Sequence, residues 1–357
     1  MSNTNFEPVR LGVIGCGVIG SVHIRVAAHT PFIDLVAIAD LREEVVKERA
    51  AEYNVPTVYT DGNDLLADPN IEGVVLAMPA HLRTDLALRA CAAGKHVLTE
   101  KPVAMNAGEV RQLIDAQGDL IVGCCSSRYQ FIESTKAVTD FIATGSLGNI
   151  QVIRCHVNNP AGGPPQKPPP IWRLNRSLNA GGIMSNWGCY DLDYLLGITG
   201  WSLKPKLVLG QTWTVNDIFS DRAAPGSDAE TYVTALIRCE GGAVVSFERG
   251  EFMAVHPHQA WQIIGDKGSL RLQLTPKAGK EIIFDKGDHE QGVISEVIWS
   301  GEESNADVHS GPIQDFAKAI REGRAPQTSL ERALVVQQIT DAIYESADNE
   351  VAVTIVS

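Results

Sequence analysis

"RLGVIGCGVIGSVH", Arg10 to His23, decides the fold of this chain. Val9, Leu11, Val13 and Ile14 make an apolar run of strand length, and Gly15, Gly17 and Gly20 follow as G-x-G-x-x-G. After the first glycines, Val18, Ile19, Val22 and Val26 recur at helical spacing. A buried strand that turns sharply into a helix leaves backbone N–H groups unpaired at the helix start. Those groups and the helix dipole attract an anion, and glycines let it come close to the backbone. The pattern predicts a dinucleotide pyrophosphate against Gly15, Cys16, Gly17, Val18, Ile19 and Gly20. A second apolar run, "IDLVAIAD" (Ile33–Asp40), ends in an acid twenty residues after Gly20. Such a carboxylate accepts hydrogen bonds from an adenosine ribose, with Leu41 and Arg42 beside it. The alternative is a glycine turn with an incidental surface acid, which must produce strand, turn, helix and acid in order by chance.

At 357 residues the chain is long enough for two domains with two cores. Forty-three acids against thirty Lys and Arg give a formal charge of −13, which argues against a nucleic-acid partner. No apolar stretch reaches membrane-spanning length, and "MSNTNFEPVR" lacks the basic and apolar regions of a signal peptide. The seven cysteines are odd in number and form no C-x-x-C pair; several lie in apolar stretches, where free Cys behaves as a small hydrophobe. A reduced, cytoplasmic protein without a structural metal is the simplest expectation.

Strand-like and helical patterns alternate through the first third. A helix near Arg42–Glu52 precedes a strand at Ile71–Met78, a helix at His81–Gly94 and a strand "KHVLTE". A helix at Asn106–Gln117 and a strand at Asp119–Cys125 follow. Continuous apolar strands between helices predict a doubly wound parallel sheet over residues 1–125. Residues 126–357 change character. Phe131–Thr144 reads as a helix and Ile150–Asn158 as a strand. "NNPAGGPPQKPPP" (Asn158–Pro170) is too rich in Pro and Gly for regular structure, and is either an exposed linker or a substrate-site loop. Lys206–Val215, Tyr232–Cys239, Ala243–Arg249, Trp261–Ile264 and Ser269–Leu274 read as strands of a largely antiparallel open sheet. Helices near Gly311–Glu322 and Ser329–Ala347 close an α+β domain.

"GKHVLTEKPVAMN" (Gly94–Asn106) carries the chemistry. It ends a buried strand in Glu100-Lys101-Pro102, at the carboxyl edge where such sheets bind ligands. A lysine there can meet a nicotinamide and a substrate hydroxyl; a plain surface lysine is the alternative.

The chain resembles the glucose–fructose oxidoreductase, inositol dehydrogenase and rhizopine-catabolism (Gfo/Idh/MocA) oxidoreductases. The likeness rests on "GVIGCGVIG", "GKHVLTEKP", "SSRYQF" from Ser126, "GSLGNIQ" from Gly145 and "AGGIMSNWGCYDLDYLLG" from Ala180. It continues through "IIGDKGSL" from Ile263 to "AIYESADN" from Ala342. The resemblance implies an α/β Rossmann domain, NAD or NADP, and oxidation or reduction of a secondary alcohol on a sugar or cyclitol. It makes Lys101 the catalytic lysine. The double-glycine segment of the family supplies an Asp and, four residues on, a His; here those positions hold Asn186 and Tyr190. Tyr occurs at the second position in some relatives, and a phenol near a lysine can relay a proton. Asn186 departs more sharply, because an amide takes up no proton; altered chemistry, reduced activity and an engineered change all remain open. The Thr-Pro-Asn turn of the family appears as Met78-Pro79-Ala80, followed by His81.

The same resemblance places Trp172 and Arg173 of "IWRLNRS" along a ligand cleft, with Arg128 and Tyr129 of "SSRYQF". Alternation puts His156 and Asn158 on one strand face with Val152 and Arg154, where they can reach sugar hydroxyls or merely line a polar face. His309 is a further candidate; His23, His29 and His258 receive no role. The expected function is an NAD-dependent oxidoreductase on a hydroxyl of a sugar, glycoside or cyclitol, with Lys101 and Tyr190 handling the proton and Asn186 positioning the substrate. Asp40 favours NAD over NADP by repelling a 2′-phosphate. Redox-cycling glycoside cleavage and a non-catalytic dinucleotide-binding regulator are the alternatives. The resemblance and the alternating strands also predict a homodimer or homotetramer.

Overall fold

A computed structural model describes residues 7–356; the opening six residues, within the segment read as lacking a signal peptide, lie outside the described ones. The chain forms two compact units. One runs to Arg128 and takes back Val308–Leu334; the other comprises Tyr129–Asp307 and the chain from Val335.

In the first unit, strands β1 (Val9–Ile14), β2 (Ile33–Ala39), β3 (Thr57–Tyr59), β4 (Gly73–Leu76), β5 (His96–Thr99) and β6 (Val122–Cys124) form a parallel sheet ordered β3-β2-β1-β4-β5-β6. Helices α1 (Val18–Ala28), α2 (Glu43–Tyr53), α3 (Gly62–Ala67), α4 (Arg83–Ala92) and α5 (Ala107–Gln117) connect them. The order reverses at β1/β4, the switch point at which doubly wound sheets bind ligands. The strands are apolar throughout because both faces are covered. One face packs Ile24, Ala27 and Val46 over Leu11, Val13 and Ile38. The other packs Leu65, Ala87, Val110 and Leu113 over Leu76 and Val97.

Two features of this half go beyond the sequence reading. Helix α1 has the expected period, but it buries Gly20, His23, Ile24 and Ala27, while Val18 is 92% exposed. A Cβ on Gly20 would lie 1.8 Å from the Gly15 carbonyl oxygen, so the small face of the helix must turn to the strand. The boundary at 125/126 omits the return of Val308–Leu334. Ile313, Phe316 and Ala317 join the first core, and Leu330 and Ala333 the second.

The second unit contains α6 (Glu133–Ala143), β7 (Ile150–Pro160), α7 (Arg176–Asn179), a π-helical turn at Met184–Gly188 running into α8 (Cys189–Ile198), and β8 (Pro205–Trp213). Then come β9 (Tyr232–Cys239), β10 (Val244–Met253), β11 (His258–Gly265), β12 (Gly268–Leu272), β13 (Lys280–Asp288) and β14 (Gly292–Gly301). Helices α9 (Asn305–Glu322) and α10 (Leu330–Asn349), divided between the units, precede β15 (Val353–Thr354). The sheet runs β14-β13-β12-β11-β7-β10-β9-β8-β15, antiparallel except for β7/β10. Its inner face buries Ile153, Cys155, Val157, Val245, Phe247 and Arg249 toward α8. Its outer face carries Val152, Arg154, His156 and Asn158, with Leu209, Trp213 and Leu236 exposed. Strands β13 and β14 extend the sheet beyond the sequence reading, although "EIIFDKGD" alternates like its neighbours. Among the described residues no helix is long and apolar enough to cross a membrane.

Candidate active site

The glycine turn of the first unit forms a cradle. Gly15 sits at φ +97°, and a Cβ there would meet the Ala77 carbonyl oxygen at 2.7 Å, so neither the backbone angle nor the space admits a side chain. Gly17, the cap of α1, differs: a Cβ there would have no described atom within 4 Å, and no side chain caps the helix. The opening beside unpaired helix N–H groups fits a pyrophosphate. Asp40 follows β2 directly, with its carboxylate accepting from Cys16 N at 2.8 Å. It also receives Arg42 N (2.9 Å), Nε (3.0 Å) and Nη2 (3.1 Å). Burial opposes the charge on Asp40, but the Arg42 and Cys16 bonds outweigh it and hold the carboxyl below its usual range. Burial and the Asp40 charge push the Cys16 thiol up to about 12, so it stays protonated. Leu41 is 84% exposed beside this edge, His81 is exposed, and Met78 and Pro79 are half-buried after β4.

Behind Lys101 lies a buried network that motif reading missed. Glu100 N bonds Leu76 O (3.0 Å), and Arg83 Nη1 donates to Glu100 O. The Glu100 carboxylate meets His23 Nε2 through Oε1 at 2.8 Å and accepts Lys101 N through Oε2 at 3.1 Å. Burial disfavours the Glu100 anion, yet the His23 bond and charge, with Lys101 and Arg83, hold its carboxyl well below the usual range. Cys125 Sγ is 3.9 Å from His23 Nε2. These three side chains place ligand-type atoms within 4.8 Å of one another, but the 2.8 Å contact is that of a direct hydrogen bond. His23 therefore ties α1, the helix of the glycine cradle, to the residue that precedes Lys101. Its offset three residues past Gly20 is the sequence signal: it places His23 on the face of α1 that Gly20 turns to the sheet. Pro102 is buried, and Arg128 Nη1 lies 3.1 Å from His309 Nε2 in this unit.

In the second unit the double glycine is explained by close packing. A Cβ on Gly181 would lie 1.8 Å from the Tyr344 hydroxyl oxygen, and one on Gly182 would lie 1.8 Å from the Glu230 carbonyl oxygen. The buried Glu230 carboxylate accepts Gly182 N and Met184 N, each at 3.0 Å, and the Tyr344 hydroxyl at 2.9 Å. Burial pushes the Glu230 carboxyl up, partly offset by these bonds. This clamp starts the π-helical turn that carries Asn186, whose N donates to Gly182 O at 3.0 Å. A π turn widens the helix by one residue and recurs at functional sites. Asn186 is 9% exposed, and its Nδ2 has no hydrogen-bond partner among the described residues. Tyr190, one turn on, is buried edge-to-face against Tyr129 (5.7 Å) and Trp187 (5.8 Å). Beneath them Asp191 accepts Trp261 Nε1 (3.0 Å) and pairs with Arg249 (3.2 Å), whose guanidinium lies 4.8 Å over the Trp187 ring.

The structure thus groups Tyr129, Asn186 and Tyr190, but it separates His156 and Asn158 from them. Those two lie on the outer sheet face, away from α8, where His156 bonds Ser246 (2.9 Å) and Asn158 bonds Glu248 (2.8 Å). Alternation identified their common face but could not say that α8 covers the other one. Trp172 is 41% exposed, and Arg173 pairs with Glu251. Glu230 and Tyr344 were invisible locally, since each reaches the glycines from a distant segment.

Residues 9–120 match the model of an oxidoreductase family with an NAD-binding Rossmann fold, Gfo/Idh/MocA, and residues 135–271 match that family's C-terminal domain. Myo-inositol 2-dehydrogenase of Thermotoga maritima is 25% identical over 326 residues, covering 90% of this chain and 91% of its own. Levoglucosan dehydrogenase of Pseudarthrobacter phenanthrenivorans is 26% identical over 388 aligned positions, covering 96% and 97%. A solved structure of levoglucosan dehydrogenase with NADH and levoglucosan superposes with a TM-score of 0.86 at 23% identity, covering 98% of this chain and 100% of that one. The two matched domains span more than two thirds of the sequence, and the chain belongs to the Gfo/Idh/MocA oxidoreductases.

Proposed function

We propose that this protein is an NAD-dependent oxidoreductase that oxidises a secondary hydroxyl of a sugar, glycoside or cyclitol to the ketone. The observation that carries this reading is the buried Asn186 amide, whose Nδ2 donor lacks a partner one helical turn from Tyr190. A buried donor left unpaired costs about 1–3 kcal/mol, and a substrate oxygen would satisfy it. Bound NAD supplies the acceptor for the hydride leaving the carbinol carbon. The chain's own residues hold the substrate and move the other proton. Asn186 Nδ2 donates to the reacting oxygen, and Lys101 and Tyr190 handle the hydroxyl proton. Glu100 and His23 hold the backbone from which Lys101 projects, and Gly17 with the α1 terminus receives the pyrophosphate. The names of the relatives, myo-inositol 2-dehydrogenase and levoglucosan dehydrogenase, point to polyols of this class.

The reading extends to a cytoplasmic homo-oligomer, supported by the exposed Leu209, Trp213 and Leu236 of the outer sheet face. Light scattering at micromolar concentration tests the assembly, and a monomer refutes it. The function is tested by following near-ultraviolet absorbance while sugars, cyclitols and glycosides are added with NAD. Formation of reduced cofactor on at least one of them is expected. Cofactor binding with no turnover on any of them would make the protein a dinucleotide-binding regulator instead.

A further inference from the structure

We propose that the outer edge of β14 is a self-pairing surface, on which two copies of the chain join antiparallel about a two-fold axis through Ser295 and merge their sheets. The pairing rests on the homo-oligomer inferred above but not on the outer sheet face, and its test separates the two.

β14 ends the nine-stranded sheet, and no strand among the described residues pairs with its free edge. The opposite edge is held to the two residues of β15. β14 is ten residues long, and six in a row, Gly292 to Val297, are exposed. Over that stretch its register with β13 is unbroken, from Ile283↔Val297 to Asp288↔Gly292; the shift in register lies beyond it, at Ile298. Proteins blunt a free edge with lysine, proline, a bulge or a cover. The free stretch holds no lysine, proline or bulge, and its one charged residue is Glu296. Apolar side chains stand in solvent on it, Val293 at 69% and Val297 at 49% exposure. A regular apolar edge of this kind is a template for another strand.

The side chains of the edge select a second copy of it. In an antiparallel pair, residues directly opposite point to the same face, and the faces alternate along each strand. A two-fold axis between two copies of one strand must therefore pass through a residue that meets itself. Centred on Glu296, the axis sets two carboxylates against each other, which destabilises. Centred on Ile294, it sets Val293 against Ser295 and joins only one apolar pair. Centred on Ser295, it sets Val293 of each copy against Val297 of the other, and two apolar pairs form.

Charge complementarity supports the same register. Glu296 then meets Ile294 of the second copy, and the exposed Lys286 lies in the same row one strand further, since it pairs with Ile294 across β13 and β14. The separation is two strand spacings, about 10 Å, which two long side chains can bridge. On the other face the acid beside Ser295 is already balanced. Asp285 accepts Arg271 Nε and Nη2 at 2.8 Å each and Ser295 Oγ at 2.6 Å. In this register no like charges lie directly opposite.

The test is disulfide trapping of the full chain. All seven native cysteines are buried, so a cysteine placed on β14 is the accessible thiol. Ser295→Cys should give mostly disulfide-linked dimer on oxidation, because residue 295 meets itself. Val293→Cys should not, since its two copies stand four residues apart along the strands, about 14 Å, beyond disulfide reach. The double variant Val293→Cys/Val297→Cys should link again. Sedimentation of Val297→Lys should show self-association weakened tenfold or more. Trp213→Glu, on the outer face, should leave the Ser295→Cys link intact. Failure of Ser295→Cys to link, equal linking of Val293→Cys, or loss of the link in Trp213→Glu overturns the β14 pairing. An oligomer in solution that lacks the link overturns this pairing alone; a monomer at micromolar concentration overturns the homo-oligomer as well.

Discussion

Replacing Gly182 by Ala should strike stability and chemistry together. The added Cβ would stand 1.8 Å from the Glu230 carbonyl oxygen, 2.8 Å from its carbon and 3.0 Å from its nitrogen. All three are backbone atoms, so no side-chain rotation relieves the clash. Ordinary contact begins at 3.4 Å, and the two segments must therefore part by about 1.6 Å. That parting breaks the 3.0 Å bonds from Gly182 N and Met184 N to the Glu230 carboxylate and the 2.9 Å bond from Ile183 N to its carbonyl. Each is worth roughly 0.5–3 kcal/mol depending on the charge of Glu230, and the carboxylate is left buried. A loss of about 3–5 kcal/mol follows, which lowers Tm by about 10 °C in a unit of this size. The π turn moves with the glycines, carrying Asn186 off its position by more than an ångström. Misplacement of that order costs about 10²-fold in kcat/KM. Scanning calorimetry and steady-state kinetics on the same preparation measure both. Wild-type Tm and turnover in Gly182→Ala would refute the view that the double glycine is required by packing against Glu230.

Lys101→Ala should abolish turnover while leaving NAD affinity largely intact, with a loss in kcat of about 10²–10⁴-fold; loss of NAD binding in its place would make Lys101 a cofactor anchor. Asn186→Asp exchanges the Nδ2 donor for a carboxylate that accepts the hydroxyl proton, and turnover on the true substrate should rise about tenfold; a fall would show that the lost donor outweighs the gained base. Wild-type protein should bind NAD more tightly than NADP, and Asp40→Ser should shift the ratio toward NADP by freeing Arg42 for a 2′-phosphate. Titrations giving wild-type NADP affinity equal to NAD would remove Asp40 as the determinant. The fourth concerns Glu72, whose Oε1 and Oε2 accept Arg321 Nη1 (2.7 Å) and Nη2 (2.9 Å) and whose carboxyl is held down to about 2, chiefly by that bond. Because the folded value is depressed, the stabilisation is full above the unfolded value near 4.5 and is lost as pH falls toward 2. The gap corresponds to about 3 kcal/mol, reduced to about 1–2 by solvent screening. Denaturant unfolding should show that Glu72→Gln costs this much at pH 7 and about half as much at pH 3; a cost independent of pH would assign the effect to packing.

The first unit was legible because β1, β2, β4 and β5 are buried on both faces and so read as unbroken apolar runs. The glycine turn marked the switch point, and Glu100-Lys101-Pro102 marked the neighbouring strand end. Periodicity gave α1 but not its buried face, since the choice between Val22 and His23 depends on Gly20 packing against Gly15 and on Glu100, far along the chain. The π turn left no trace in composition, because its extra residue is imposed by Glu230 rather than by Met184–Gly188 themselves. The same limit applied to His156 and Asn158: a strand's alternation divides its residues into two faces, and only the tertiary structure says which one α8 covers.

The return of Val308–Leu334 to the first unit has a consequence for synthesis of the chain. The ribosome finishes all six strands of the dinucleotide sheet when little more than a third of the polypeptide exists, yet Ile313, Phe316 and Ala317, which complete one of its cores, emerge only near the end. Until then the core that holds Leu35 and Ile38 lacks these members, and the second unit must grow from the tunnel while the first is incomplete. Domains that close on their own can fold one after another as they emerge; this chain must keep its oldest segment waiting for its youngest, so its nascent form is the state in which it most needs protection from aggregation.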